Sequence, residues 1–268
     1  MMIDGAYCYT GGRPFDPALP AVVFIHGAQN DHSVWALQSR YFAHHGFGVL
    51  AVDLPGHGRS AGPALDTVEA MADWLLSVLD RAGVQRALLA GHSMGSLIAL
   101  EAAFRAPGRV SALALVGSTY PMRVSEALLE TSNNDEPSAI DMVNIWSHST
   151  LAQKPSCPGP GFWTMGMSQR LMQRMSARNP AHLFHTDFTA CNAYANGEAA
   201  AASVDCPVLL LQGARDMMTP PKSARQLAAA LRQSRIVTVD AGHQMMAEQP
   251  DAVLDALYGF ALGSKETT

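Results

Sequence analysis

Charge is scarce in this chain. Only 15% of its 268 residues are charged, and 18 Lys and Arg face 23 Asp and Glu, giving a formal net charge of −5. With no basic excess and no basic patch, nucleic acid is not an expected partner. No apolar run reaches the roughly 18 residues that a membrane-spanning helix requires. The four cysteines, Cys8, Cys157, Cys191 and Cys206, are scattered. None forms a C-x-x-C pair and no Cys/His spacing fits zinc, so no metal and no cofactor is expected. Such isolated cysteines suit a reducing compartment. The opening stretch MMIDGAYCYTGG has neither a basic nor an apolar signal region. These absences together predict a soluble, cytoplasmic protein. Repeats with a period of 20–50 residues are also missing.

Apolar residues, at 48%, are plentiful enough for a full core. They fall in short continuous runs: Ala21–Ile25, Phe47–Asp53, Arg86–Gly91, Ala112–Gly117, Pro207–Gly213 and Arg235–Ala241. Continuous runs suit strands buried on both faces of a parallel sheet. Helical patterns alternate with them at Ser33–His45, Thr67–Ala82, Met94–Arg105, Lys222–Leu231 and Pro250–Ala261. Ser33 and Thr67 are the expected caps of the first two, and Pro250 opens the last. The alternation predicts an α/β doubly wound sheet. It breaks between Thr119 and Val204, where no strong strand pattern occurs. A bare loop of that length is uncommon. The expected organisation is a core of residues 1–118 and 205–268, with a helical cap over 119–204.

The chemistry gathers at Gly91-His92-Ser93-Met94-Gly95. Here a strand candidate meets a helix candidate, and a serine sits at the turn. A sharp strand-to-helix turn strains the serine backbone and lifts its hydroxyl above the sheet edge, while the flanking glycines allow close backbone passage. The helix N-terminus behind it favours developing negative charge. A serine hydroxyl still needs a base, and the base an orienting group. His243 follows the last strand candidate and Asp216 the one before it. Both therefore lie past strand C-termini, where open parallel sheets carry their sites.

The motifs FIHGAQN, DLPGHGRS, GHSMGS, GARDMMTP and AGHQMM, in this order, resemble the α/β-hydrolase superfamily from Ala21 to about Gly263. The resemblance implies a mostly parallel eight-stranded sheet, with its first strands reduced or missing because little chain precedes Ala21. It also implies a Ser93–Asp216–His243 triad. The matching oxyanion hole would use the backbone N–H groups of Met94 and Ala28. Epoxide hydrolases and haloalkane dehalogenases are similar but use an Asp nucleophile, whereas position 93 is Ser. Proline iminopeptidases carry HGGPG where this chain has HGAQN.

Plainer readings exist for each residue. Ser93 could be a helix N-cap, His243 a surface histidine and Asp216 a turn residue. His26 is expected to brace the oxyanion loop, His57 to hold a turn with Asp53, and the His92 side chain to point away from Ser93. A metal site at His182, His185 and Asp187 is disfavoured; Asp187 could instead touch substrate. Gln29 and Asn30, beside the hole, are candidate substrate contacts. So are Met217 and Met245, with Phe162 and Trp163 as an entrance flap. Of 14 methionines, six lie in the cap segment (Met122, Met142, Met165, Met167, Met172, Met175), and Met94, Met217, Met218, Met245 and Met246 lie close to the triad in sequence. Methionine fills irregular apolar space, so an adaptable apolar pocket is expected, against plain packing of cap on body. The leading function is a serine hydrolase acting on a small or medium, largely apolar carboxylic ester. A lactonase, thioesterase or carbon–carbon bond hydrolase would use the same triad, and a non-catalytic ligand-binding relative is a further alternative. The partner is then a small molecule, and the chain a monomer or homodimer.

Overall fold

The chain opens on two short strands, β1 (Met2–Ile3) and β2 (Ala6–Tyr9). The six apolar runs follow as β3 (Ala21–Ile25), β4 (Gly48–Val52), β5 (Ala87–His92), β6 (Val110–Val116), β7 (Val208–Gly213) and β8 (Ser234–Val239). The computed structural model describes residues 1–149, 160–179 and 182–265. Among these, one eight-stranded sheet runs in the order β1-β2-β4-β3-β5-β6-β7-β8. Pairing from β4 to β8 is parallel, and β1 and β2 add antiparallel at one edge. The N-terminal strands are thus present but reduced. β3, β4, β5 and β7 are buried at every position. The last strand differs from expectation: it forms the other edge, and Ser234, Arg235 and Ile236 are exposed.

The helices are α1 (Ala36–His44), α2 (Val68–Arg81), α3 (Met94–Arg105), α4 (Glu126–Asn134), α5 (Glu136–Ser147), α6 (Pro160–Arg178), α7 (Leu183–Ala193), α8 (Gly197–Ser203), α9 (Arg225–Ala230), α10 (Met245–Glu248) and α11 (Pro250–Lys265). Thr67 caps α2, accepting from Ala70 N–H at 3.2 Å. The first helical pattern divides. His32–Trp35 is a 3-10 turn capped by Asp31, not Ser33, and α1 follows it.

Alternate residues of each strand feed opposite layers, as the pleat requires. Val22 and Phe24 of β3 pack with Trp35, Phe42, Val253 and Leu257 on the α1–α11 side. Val23 and Ile25 pack with Leu75, Leu79 and Leu97 on the α2–α3 side. Full burial of each such large side chain is worth about 1.5–3 kcal/mol.

Among the described residues, α4 to α8 fill the chain between β6 and β7. They do not share one environment. α4, α5, α6 and α7 pack around Leu128, Ile140, Met172 and Phe184. Ala200 and Ala201 of α8 instead join the layer that covers the sheet beside α3. The returning chain is tied down at Glu101, a buried carboxylate on α3. It accepts from Tyr194 Oη and Asn196 Nδ2, each at 2.8 Å, and from Arg105 Nε at 2.7 Å. Replacing Glu101 with Ala strands three donors, so Glu101→Ala is expected to lose about 3 kcal/mol. Urea unfolding of the variant beside the native protein measures this.

Candidate active site

Ser93 joins β5 to α3 with φ +53° and ψ −119°. A non-glycine residue held there costs on the order of 1–3 kcal/mol, so its surroundings must enforce it. The Ser93 N–H donates to the Val116 carbonyl at 2.9 Å, and the Ser93 carbonyl accepts from Ser96 N–H at 2.8 Å. The flanking glycines cannot be replaced without movement. A Cβ on Gly91 would run into the Gly95 carbonyl, and one on Gly95 into the Ile25 carbonyl. Both glycines of the motif are therefore steric requirements of this crossing.

Asp216 and His243 meet directly. His243 Nδ1 lies 2.8 Å from Asp216 Oδ2. The carboxylate also accepts from Met218 N–H at 2.8 Å, Thr219 N–H at 2.7 Å and the Thr219 hydroxyl at 2.7 Å. Burial alone would raise the Asp216 pKa. The adjacent His243 and the hydrogen bonds from His243 and Thr219 together outweigh it and hold the group down at about 2. Thr219 lies within the GARDMMTP motif, three residues after Asp216, but is not among the expected site residues. No hydrogen bond joins the Ser93 hydroxyl to His243 among the described residues; such contacts are often long without substrate.

The loop after β3 approaches this turn closely: a Cβ on Gly27 would stand 3.2 Å from Ser93 Cβ. The N–H groups of Ala28 and Met94 have no hydrogen-bond partner among the described residues. His26 braces the loop as expected. Its Nε2 accepts from Leu54 N–H at 3.1 Å, which leaves Nδ1–H to donate to the Gly27 carbonyl at 2.8 Å. His92 donates from Nε2 to the His243 carbonyl at 2.9 Å and so holds the His243 loop.

His57 departs from expectation. Asp53 is engaged elsewhere, by His32 Nδ1 at 2.7 Å and by the N–H groups of His32 and Arg59 at 2.8 Å each. His57 instead donates from Nδ1 to the Pro55 carbonyl at 3.0 Å and from Nε2 to Asp187 Oδ2 at 2.9 Å. With both nitrogens facing acceptors, the geometry favours the imidazolium. Burial opposes that charge, but the Asp187 carboxylate outweighs burial and raises the pKa. The same Asp187 oxygen accepts from Gln29 N–H at 2.7 Å. A fully buried ion pair thus connects the 54–58 loop, the residue after Ala28, and α7. Donor atoms of Asp31, His32 and Asp53 lie within 4.8 Å of one another, as metal ligands might. They already serve as partners of one another, of Ser33 and of Arg174.

A cavity of about 310 Å³ opens over Ser93 and Ala28. Its walls are Met122, Val124, Leu128, Trp146, Phe188 and Met218, with Thr219 reaching it from the Asp216 side. Met217 lines it too, at its exposed side. Three substrate-contact expectations are corrected. The Gln29 side chain is buried and donates to Glu136 at 3.1 Å, Ser176 at 2.7 Å and the Met172 carbonyl at 3.2 Å, so it ties the loop to α5 and α6. The Asn30 side chain turns back to the Ala28 carbonyl at 2.9 Å. Met245 is fully buried in the α1–α11 layer. Asp187 likewise meets His57 and Gln29, and the described residues of the His182–Asp187 stretch form no metal cluster. The methionines divide: Met122, Met217 and Met218 line the cavity, while Met94, Met172, Met175, Met245 and Met246 are packing residues. Phe162 and Trp163 fall in the first turn of α6, and their side chains lie outside the described residues.

Two expected outcomes follow from these charges. Asp187→Asn leaves the His57 imidazolium buried without its counter-ion. A loss of about 3 kcal/mol is expected, read by denaturant unfolding. Burial is the largest influence on both His26 and His92, pushing them down to about 4 and about 3. Because an unfolded histidine titrates near pH ~6.5, the unfolded chain binds more protons below that value. Their contribution is full above pH ~6.5 and is lost as pH falls towards the folded values. His57 works in the opposite direction, losing its contribution as pH rises through its raised value. Calorimetric melts should show the midpoint dropping from pH 7 to pH 5, with a shallower drop in His92→Asn.

Comparison with known proteins agrees with this architecture. A family model described as alpha/beta hydrolase fold matches residues 20–250. Bovine Protein ABHD8 is 26% identical over 254 residues, or 91% of this chain; the chain spans about half (56%) of that protein's length. The (E)-2-((N-methylformamido)methylene)succinate hydrolase of Acinetobacter baylyi is 26% identical over 247 residues, covering 88% of each chain. Two solved structures share the fold. The enol-lactonase from Burkholderia xenovorans LB400 has a TM-score of 0.83 at 23% identity, over 96% of this chain and 97% of that one. The esterase from Exiguobacterium antarcticum has a TM-score of 0.79 at 20% identity, over 96% and 94%. No described helix is long and apolar enough to cross a membrane. With the family pattern running from the residue before β3 to the first residue of α11, this protein belongs to the α/β-hydrolase fold family.

Proposed function

We propose that the protein is a serine hydrolase that cleaves a small or medium, largely apolar carboxylic ester through an acyl-enzyme on Ser93. The observation that carries this reading is the strained Ser93 turn on the wall of an apolar cavity, with the hydrogen-bonded Asp216–His243 pair reached from that cavity through Thr219. His243 takes the Ser93 proton as the oxygen attacks the ester carbonyl. Asp216, held ionised, fixes the Nδ1–H tautomer and stabilises the imidazolium. The unpartnered N–H groups of Ala28 and Met94 receive the oxyanion, each worth on the order of 3 kcal/mol in the transition state. His243 then protonates the leaving alcohol and activates the water that frees the acid. Helices α4 to α7 act as the lid that shapes the acyl site.

The triad by itself also serves lactones, thioesters and carbon–carbon bonds. The cavity favours a compact substrate, since about 310 Å³ is at the small end for ligand pockets. The deciding experiment is hydrolysis of p-nitrophenyl esters from acetate to laurate by the native protein and by Ser93→Ala. Activity on the short and medium chains, falling by at least about 10³-fold in Ser93→Ala, is expected. Equal activity in Ser93→Ala would overturn the reading. Labelling of Ser93 by a fluorophosphonate without ester turnover would point to one of the other three bonds.

A further inference from the structure

The cavity over Ser93 is mostly apolar, with Ser93, Ser125 and Thr219 as its uncharged polar lining. Met122, Arg123, Val124 and Ser125 form a continuous stretch of its wall, and Arg123 is the one charged residue among its described lining. Six other arginines among the described residues find acids, whereas Arg13, Arg40, Arg225 and Arg235 do not. Arg105 meets Asp73 at 2.9 Å, Arg174 meets Asp31 at 2.9 Å and Arg215 meets Asp240 at 2.8 Å. Arg123 has no ion pair and no hydrogen bond among the described residues. Its nearest acid in sequence, Glu126, is exposed, does not line the cavity and forms no ion pair with it. Asp216, joined to the cavity wall through Thr219, is buried and committed to His243.

An unpaired guanidinium beside low-dielectric walls attracts anions, and its planar fork of donors matches a carboxylate in a two-point contact. We propose that Arg123 anchors a free carboxylate on the substrate, so that the preferred ester is the half-ester of a short dicarboxylic acid or a close chemical equivalent. This deepens the serine-hydrolase reading and rests on it. Ser93 attacks the ester carbonyl, while the carboxylate at the other end meets Arg123 at the open side of the cavity.

The test compares monoethyl succinate, glutarate and adipate with their neutral amide isosteres, in which CONH2 replaces the free carboxylate. Native protein should favour the best half-ester by about tenfold in kcat/KM, the scale of one charge-assisted contact. In Arg123→Gln that ratio should collapse towards one, and in Arg123→Glu it should invert, with esters of choline now favoured. Position 123 is exposed, and melting midpoints of the variants check that each is folded. Ser93-dependent hydrolysis with no preference for half-esters, or a preference unchanged in Arg123→Gln, overturns the carboxylate anchor and leaves the hydrolase reading standing. Binding gives a readout independent of turnover. Calorimetry of monoethyl glutarate with Ser93→Ala should show affinity that falls about tenfold when Arg123→Gln is added; equal affinity overturns the anchor. Absence of both ester turnover and fluorophosphonate labelling sinks the hydrolase reading instead.

Discussion

The structure turns on one backbone position. Ser93 sits at positive φ between a fully buried strand and a buried helix, a conformation the chain would not adopt alone. It is imposed by the Val116 carbonyl on the neighbouring strand, and by a helix start that passes the Ile25 carbonyl too closely for any side chain at position 95. β5 must therefore lie between β3 and β6, as it does. That central place also makes the rest of the site possible. The loops after β3, β7 and β8 converge on the C-terminal edge of the same parallel strands, bringing Ala28, Asp216 and His243 towards one region.

Histidine does much of the fixing around that region, and its protonation is divided by local chemistry. His26 and His92 are buried against neutral backbone groups and stay uncharged; each spends its donor on a carbonyl that positions a loop. His57 is equally buried but faces Asp187, and so carries its proton. Three histidines from motifs that look alike in sequence thus do two different jobs. The difference comes from what lies opposite each ring.

This explains what could be read from the sequence and what could not. Strand β3 and helix α3 match their patterns residue for residue, because continuous apolar runs and a Gly-x-Ser-x-Gly turn are local signals. Asp216 and His243 were legible through their places after successive strands. β1 and β2 were not, being two and four residues long, too short to show a pattern, although Ile3, Ala6 and Cys8 are buried in the core. Gln29, Asn30 and Met245 lie away from the cavity lining for a common reason. Proximity in sequence to the oxyanion loop or to His243 does not give direction, and tertiary contacts more than a hundred residues away turn Gln29 from the cavity. The acid opposite His57 could not be assigned by sequence distance, since Asp187 lies 130 positions on.

That long-range pair has a bearing on modularity. Insertions between the sixth and seventh strands are often viewed as interchangeable covers on a constant body. Here α7 supplies the carboxylate that holds both the Gln29 backbone, one residue from Ala28, and the charged His57 of the body. The insertion is therefore a structural part of the proposed oxyanion loop. A foreign insertion grafted at the same strands would have to bring an acid to the same place, or leave a buried cation and an unheld loop behind.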